Sequence, residues 1–227
     1  MNNYPYIEIK HESRNHQKER ICGDVFLTRR IKEERRTIAV LSDGLGHGVK
    51  ANILATLSAT MALNFTQEHK DMERIAEIIM KTLPVDSVRK ISYATFSILD
   101  IEDNGKTTIL EFDNPPALIL NGKKVKDHEW DKVTLKTEKN KGKELRSYSF
   151  QAKQEDRIIL TTDGITQSGL GMGKYPFRWG DDNFKDFVEQ LVGNEPTISA
   201  SLLARKVVNA AYKNDNFHAK DDTSCAV

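Results

Sequence analysis

The stretch Ile38-Ala-Val-Leu-Ser-Asp43-Gly-Leu-Gly-His-Gly48 decides how the rest of the chain is read. An apolar, β-branched run stops on a carboxylate, crosses three glycines and a histidine, and enters a helical pattern. Over 49–65, Ile53, Leu54, Leu57, Met61 and Phe65 mark one stripe, while Ala51, Ala55, Ala59 and Ala62 cover much of the rest. That spacing predicts a mostly buried helix. Acids also close other apolar runs: Gly23-Asp24, Thr162-Asp163-Gly164, and Asp221-Asp222 ahead of Thr223-Ser-Cys-Ala-Val227. A single Asp-Gly pair is most often a turn. Four acidic stations spread along one chain suggest a shared cation site assembled by folding.

Outward from this stretch, strands are predicted over 6–10, 22–28 and 36–41, with a charged connection over 29–34. A second amphipathic helix is expected over 72–82, stopping before Pro84. Further strands are expected over 93–101, 107–112, 117–120, 145–150 and 157–161, with Asn104-Gly105 and Asn121-Gly122 as hairpin turns. Gly169, Gly171, Gly173, Pro176 and Gly180 punctuate a segment that reads as a mobile loop. Helices return over 182–192 and 198–212, with Asp182 and Thr197 placed as N-caps. Two groups of helices around a strand-rich centre argue for an α+β layered arrangement on antiparallel sheets.

At 227 residues, 38% hydrophobic and 30% charged, the chain has the composition of a globular protein with a substantial core. No repeat or low-complexity linker divides it, so a single domain over 1–227 is expected. The net charge of +1 gives no global footprint for nucleic acid. The lysines between 123 and 146 are interrupted by Asp127, Glu129, Asp131, Glu138 and Glu144, as on a solvated hairpin surface. No run approaches the ~20 apolar residues of a membrane span, and residues 1–6 lack the layout of a secretory signal. Cys22 and Cys225, the only cysteines, fall in predicted strands and read as buried thiols. Cytoplasmic residence follows by elimination.

Mg²⁺ and Mn²⁺ take oxygen ligands, chiefly carboxylates, carbonyls and water. Asp at a strand tip keeps its oxygens close to a rigid backbone, and a following glycine allows a sharp turn. Converging carboxylates repel unless a cation intervenes. Two cations can share a bridging water, lower its pKa and clamp a phosphoryl oxygen. His47 reads equally as a turn residue, a partner of a ligand or a proton donor.

Ser42-Asp-Gly-Leu-Gly-His-Gly48, followed by an Ala-rich helix, resembles the signature of bacterial serine phosphatases of the sporulation stage II protein E type, within the protein phosphatase 2C superfamily. Cys22-Gly-Asp24, Asn114-Pro-Pro-Ala117, Leu160-Thr-Thr-Asp-Gly-Ile165 and Asp221-Asp-Thr follow in the expected order. The resemblance covers nearly the whole chain from about Arg20. It implies a four-layer α/β/β/α sandwich of two antiparallel sheets flanked by helices. It also implies two Mn²⁺ or Mg²⁺ ions and hydrolysis of phosphoserine or phosphothreonine on proteins by attack of metal-bound water.

Carried over by motif, Asp43 would bridge both ions and the Gly44 carbonyl would bind one. Asp163 and Asp221 would bind the other, and Asp24 would hold the ion on the Gly44 side, directly or through water. Asp222, where many relatives have Asn, is expected beside the ligands. Eukaryotic-type relatives carry a His directly after Asp-Gly; here Leu45 stands there, and His47 becomes the candidate proton donor. Arg20, four residues before Asp24, reads equally as the counterpart of a phosphate-holding arginine or as a surface residue at a strand start. Many relatives are fused to membrane, sensory or partner-switching modules, whereas a stand-alone catalytic domain without a fused sensor is expected here; by family analogy it would act on a phosphorylated protein such as an anti-sigma-factor antagonist. Two rival readings are a nucleotide-binding module built on Gly44-x-Gly46-x-Gly48 and a catalytically inert scaffold. The first lacks G-x-G-x-x-G and P-loop spacing and leaves Asp163 and Asp221 unexplained.

Overall fold

Strand β3 (Arg36–Gly44) lies at the heart of one of two sheets, pairing antiparallel with β2 (Val25–Ile31) and β4 (Ala94–Glu102). In this computed structural model, residues 6–70, 72–82, 94–134, 144–175 and 177–227 are described. Successive β3 side chains serve different cores, because a strand alternates its faces. Ile38 and Val40 pack under α1 (Gly48–Gln67) and α2 (Met72–Thr82), whereas Ala39 and Leu41 face the second sheet. Both faces are covered, which is why the run is apolar throughout rather than alternating.

The first sheet runs β2-β3-β4-β5-β9-β8, with β5 (Lys106–Phe112), β8 (Asp131–Thr134) and β9 (Glu144–Gln151). The second runs β1-β11-β10-β6-β7: β1 (His11–Arg14), β6 (Leu118–Asn121), β7 (Lys124–Val125), β10 (Arg157–Thr161) and β11 (Thr223–Ala226). All pairings in both sheets are antiparallel. Ala39, Leu41, Leu99 and Ile109 meet Ile119, Leu160 and Ala226 between the sheets. On the far side, α4 (Gly180–Asn194) and α5 (Ala200–Asn214) cover the second sheet through Phe184, Val188, Leu203 and Val207. The result is the four-layer α+β sandwich expected from the sequence. Among the described residues no helix is long and apolar enough to cross a membrane.

Several local expectations change. Helix α1 spans the predicted region, but its buried face is the alanine face. Ala51, Ala55, Ala59 and Ala62 are fully buried with Leu54 and Leu63, while Val49, Ile53 and Leu57 are 58%, 52% and 44% exposed. Met61 and Phe65 pack at its edge. Small side chains let the helix axis lie close to β3, which larger ones would hold away.

The first strand is β1 rather than 6–10, because its register is set by β11, from His11 opposite Ala226 to Arg14 opposite Thr223. Cys22-Gly-Asp24 stays outside β2, which instead runs on to Ile31 with Arg29 and Arg30 along an exposed sheet edge. Such edge cations discourage pairing with another chain. The cap of α5 is Ser199, whose hydroxyl accepts from the Leu202 N–H, and not Thr197. Asp182 falls in the first turn of α4, where its charge complements the helix dipole. The 169–180 segment is tied at both ends: Gly169 N–H donates to Asp215 Oδ1 (2.7 Å) and Trp179 N–H to the Ser168 carbonyl (2.8 Å). Pro84, Glu138 and Pro176 lie outside the described residues.

Candidate metal centre

The sheet registers bring the acids to one end of the sandwich. Val25 pairs with Ser42, so the next step along each strand sets Asp24 beside Asp43. In the second sheet Thr161 pairs with Cys225, and the Thr162 N–H donates to the Ser224 carbonyl, which aligns Asp163 with the chain at Asp222. Asp163 then opens the short helix α3 (Asp163–Thr166). Thr162 joins the two sheets: its hydroxyl donates to Asp24 Oδ2 at 2.8 Å and accepts from the Ser224 N–H at 2.9 Å.

Two glycines make this convergence possible. A Cβ on Gly44 would lie 1.9 Å from the Ala51 carbonyl oxygen, and one on Gly164 would lie 2.0 Å from that of Asp222. Any side chain at either position would push β3 off α1 or α3 off β11. The glycines after Asp43 and Asp163 therefore serve close backbone approach. This weakens the nucleotide-cradle reading, since Gly44 is spent on packing and Gly48 faces the Glu19 carboxylate.

The electrostatics report carboxylates crowded away from water. Burial holds Asp43 well above the usual carboxylate range, and the charges of Asp24, Asp163 and Asp221 add to it. The interaction between Asp43 and Asp163 raises the first further and draws the second down. Asp24 is pushed up to about 7, first by burial, against the pull of hydroxyl donors including Thr162. Asp163 is raised by burial; Asp221 is pushed up to about 6 by burial and by Asp163, with His47 pulling it back in part. Desolvation of the charged form and like-charge repulsion act in the same direction here.

These four acids are electrostatic neighbours. No three His, Cys, Asp or Glu side chains among the described residues stand close enough to cage an ion as they are. The donor set nonetheless fits a hard divalent cation. It is all oxygen, and Asp24 Oδ1 and Asp222 Oδ2 are buried without a hydrogen-bond partner among the described residues. Orphaned carboxylate oxygens are costly unless something positive meets them.

The other expected residues take distinct places. Asp222 is buried; its Oδ1 accepts the His16 N–H (2.9 Å), and its own N–H donates to Asp221 Oδ1 (2.9 Å). Arg20 is exposed in the loop before Cys22 and makes no hydrogen bond or ion pair among the described residues. His47 precedes α1 in extended conformation, half exposed, with Nδ1 2.7 Å from Glu19 Oε1 and its ring stacked on His16. Cys22 and Cys225 are free thiols.

Thr162, His16 and Glu19 were not singled out from the sequence. Thr162 lay inside a quoted motif, but nothing in spacing marks Glu19 or His16. Asn114 of the Asn-Pro-Pro-Ala motif proves to be a buried strut: it donates to Ser97 Oγ (3.0 Å) and accepts from Thr95, while the Ala117 N–H donates to Glu111 Oε1 (2.8 Å). The motif shapes the crossing from β5 to β6.

The family model described as Stage II sporulation protein E (SpoIIE) matches residues 33–227. Among curated proteins none matches at a significant level. Solved structures do. The phosphatase domain of SpoIIE from Bacillus subtilis superposes with a TM-score of 0.68 at 14% identity, covering 96% of this chain and 90% of that one. RsbX in complex with magnesium gives 0.62 at 16% identity, covering 96% and 92%. A Ser-Thr phosphatase from Mycobacterium smegmatis in complex with cacodylate gives 0.59 at 10% identity, covering 97% of each. At such identities the likeness establishes a common fold.

Proposed function

Because the chain belongs to the stage II sporulation protein E family, we propose that it is a metal-dependent protein serine/threonine phosphatase. The observation that carries this reading is the meeting of Asp24, Asp43, Asp163 and Asp221, from both sheets, in a desolvated cluster where Asp24 Oδ1, and Oδ2 of the adjoining Asp222, lack a hydrogen-bond partner among the described residues. Asp43 and the Gly44 carbonyl, with Asp24, would hold one divalent cation; Asp43, Asp163 and Asp221 would hold a second, Mn²⁺ or Mg²⁺. When bound, such cations supply Lewis acidity, easing deprotonation of water and neutralising charge on a phosphoryl oxygen.

The chain supplies the rest. Thr162 fixes the rotamer of Asp24 across the inter-sheet gap. Asp222 anchors the loop that carries Arg20, whose unpaired guanidinium is suited to two phosphate oxygens at once. His47, at the lip of the cluster, is the candidate for protonating the departing serine oxygen. The substrate is a phosphorylated protein, with a phosphoserine on an anti-sigma-factor antagonist as our first choice, and the site of action is the cytoplasm.

The deciding assay is hydrolysis of p-nitrophenyl phosphate with Mn²⁺. Activity should vanish with chelator and with Asp43→Asn. Turnover that survives Asp43→Asn, or a protein that binds ATP–Mg²⁺ without hydrolysing any monoester, would remove the proposal. Comparing phosphoproteomes with and without the gene would then identify the substrate.

A further inference from the structure

His47 does not stand alone at the lip of the acid cluster. Residues 15–19 form a tightly bonded turn beneath it: the Glu19 N–H donates to the His16 carbonyl (2.9 Å), and the Asn15 amide reaches the Glu19 carbonyl. The turn is moored to the C-terminal segment by Gln17 N–H to the Ala219 carbonyl (3.0 Å) and by His16 N–H to Asp222 Oδ1 (2.9 Å).

From this platform two side chains grip the His47 ring. Glu19 Oε1 takes the Nδ1 side at 2.7 Å, and the His16 ring lies flat against it, centroids 4.5 Å apart with the planes 10° from parallel. His16 is itself fixed, since its Nδ1 accepts the Lys18 N–H at 3.2 Å. Room for Glu19 comes from Gly48 (φ +72), where a Cβ would lie 2.4 Å from the Glu19 carboxylate. Gly48 is favoured by its left-handed backbone, and its lack of a side chain leaves the Glu19 carboxylate free to lie against it.

We propose that Glu19 and His16 are positioning residues that clamp the His47 imidazole, so that its Nε2 delivers a proton to the leaving oxygen of the phosphoserine. The inference rests on the phosphatase reading above. With Nδ1–H donating to the carboxylate, proton exchange with substrate is confined to Nε2. In the step, a water oxygen forms a new bond to phosphorus as the bond from phosphorus to the serine oxygen breaks. The electron pair of that bond goes to the serine oxygen, which takes the proton from Nε2. The proton released by the attacking water restores His47, so the balance is phosphoserine plus water to serine plus inorganic phosphate. General acid catalysis of this kind matters most where the leaving group is basic.

Leaving-group dependence separates this role from a structural one. A phosphoserine peptide expels a strongly basic alkoxide, whereas p-nitrophenyl phosphate expels a phenolate that needs no proton. His47→Ala should lower kcat on the peptide by about 100-fold, and Glu19→Ala or His16→Ala by about 10-fold. KM should stay unchanged, and kcat on p-nitrophenyl phosphate should fall less than about twofold. Glu19→Gln, which keeps an acceptor for Nδ1–H, should recover part of the loss. Adding Glu19→Ala to His47→Ala should cost nothing further, because the clamp then has nothing to hold. Equal losses on both substrates, or losses that multiply in the double variant, overturn the proposal. A wild-type protein inactive on both substrates with Mn²⁺ would instead sink the phosphatase reading itself.

Discussion

Asp24→Asn offers the most direct measure of what the acid cluster costs the fold. The Asp24 carboxyl is buried and its pKa stands at about 7 against an ordinary 3.8. A group whose pKa rises on folding contributes stability that is fully present below 3.8 and is lost as pH climbs through about 7. Once pH exceeds both values, holding the ionised group in the folded state costs about 4 kcal/mol; at pH 5 the figure is about 2 kcal/mol. Asparagine removes that cost and keeps one oxygen for the Thr162 hydroxyl, at a loss of about 1 kcal/mol from the weaker bond. In chelator, the variant should therefore be about 3 kcal/mol more stable than wild type at pH 8.5 and within about 1 kcal/mol of it at pH 5. Urea unfolding at both pH values, with EDTA present, measures the difference. Saturating Mn²⁺ should narrow the gap, since binding at 100 times Kd adds about 2.7 kcal/mol to a protein whose site is intact. An Asp24→Asn protein that is less stable than wild type at pH 8.5 in EDTA, or a difference that ignores pH, would refute the reasoning.

Other sites allow shorter tests. Glu111 is fully buried, with a pKa pushed up to about 8 by desolvation against the pull of Arg146 and the Ala117 N–H. Stability should decline between about pH 4.5 and 8 on its account, and Glu111→Gln should flatten that slope in a pH series of thermal melts. Arg36 is buried where it pairs with both oxygens of Asp100 (2.7 and 2.6 Å) and caps the Thr66 carbonyl (2.7 Å) near the end of α1. Arg36→Ala should destabilise by about 3–5 kcal/mol in urea, because Asp100 is left without its partner. On α1, Ala59→Leu should destabilise by about 1–3 kcal/mol through overpacking, whereas Leu57→Ala should stay within about 0.5–1 kcal/mol. The reverse order would restore the face that helical spacing predicted.

Where the sequence was legible, chemistry and periodicity pointed the same way. The β3 run, both C-terminal helices and the hairpins at Gly105 and Gly122 are visible in residue types because turn glycines and apolar spacing act locally. The acids were legible as a set, since each closes an apolar run and two are followed by glycine. Which face of α1 is buried was not legible. Alanine and leucine are both apolar, and the choice depends on how closely β3 lets the helix approach, a tertiary quantity. The start of β1 was hidden because it is fixed by β11, more than 200 residues away in sequence. Glu19 and His16 carried no signal, because the turn that lifts them beneath His47 is held by Ala219 and Asp222, from the opposite end of the chain.

The acids are divided between the two sheets, Asp24 and Asp43 on one and Asp163 and Asp221 on the other. The gap between the pairs is set by the thickness of the filling that separates the sheets, where Ala39, Leu41, Leu160 and Ala226 meet. The sandwich therefore works as a caliper whose jaws are carboxylates and whose screw is hydrocarbon. For the metal centre proposed above, a methyl group added or removed deep in the interior would retune cation size and grip, with every ligand left as it is.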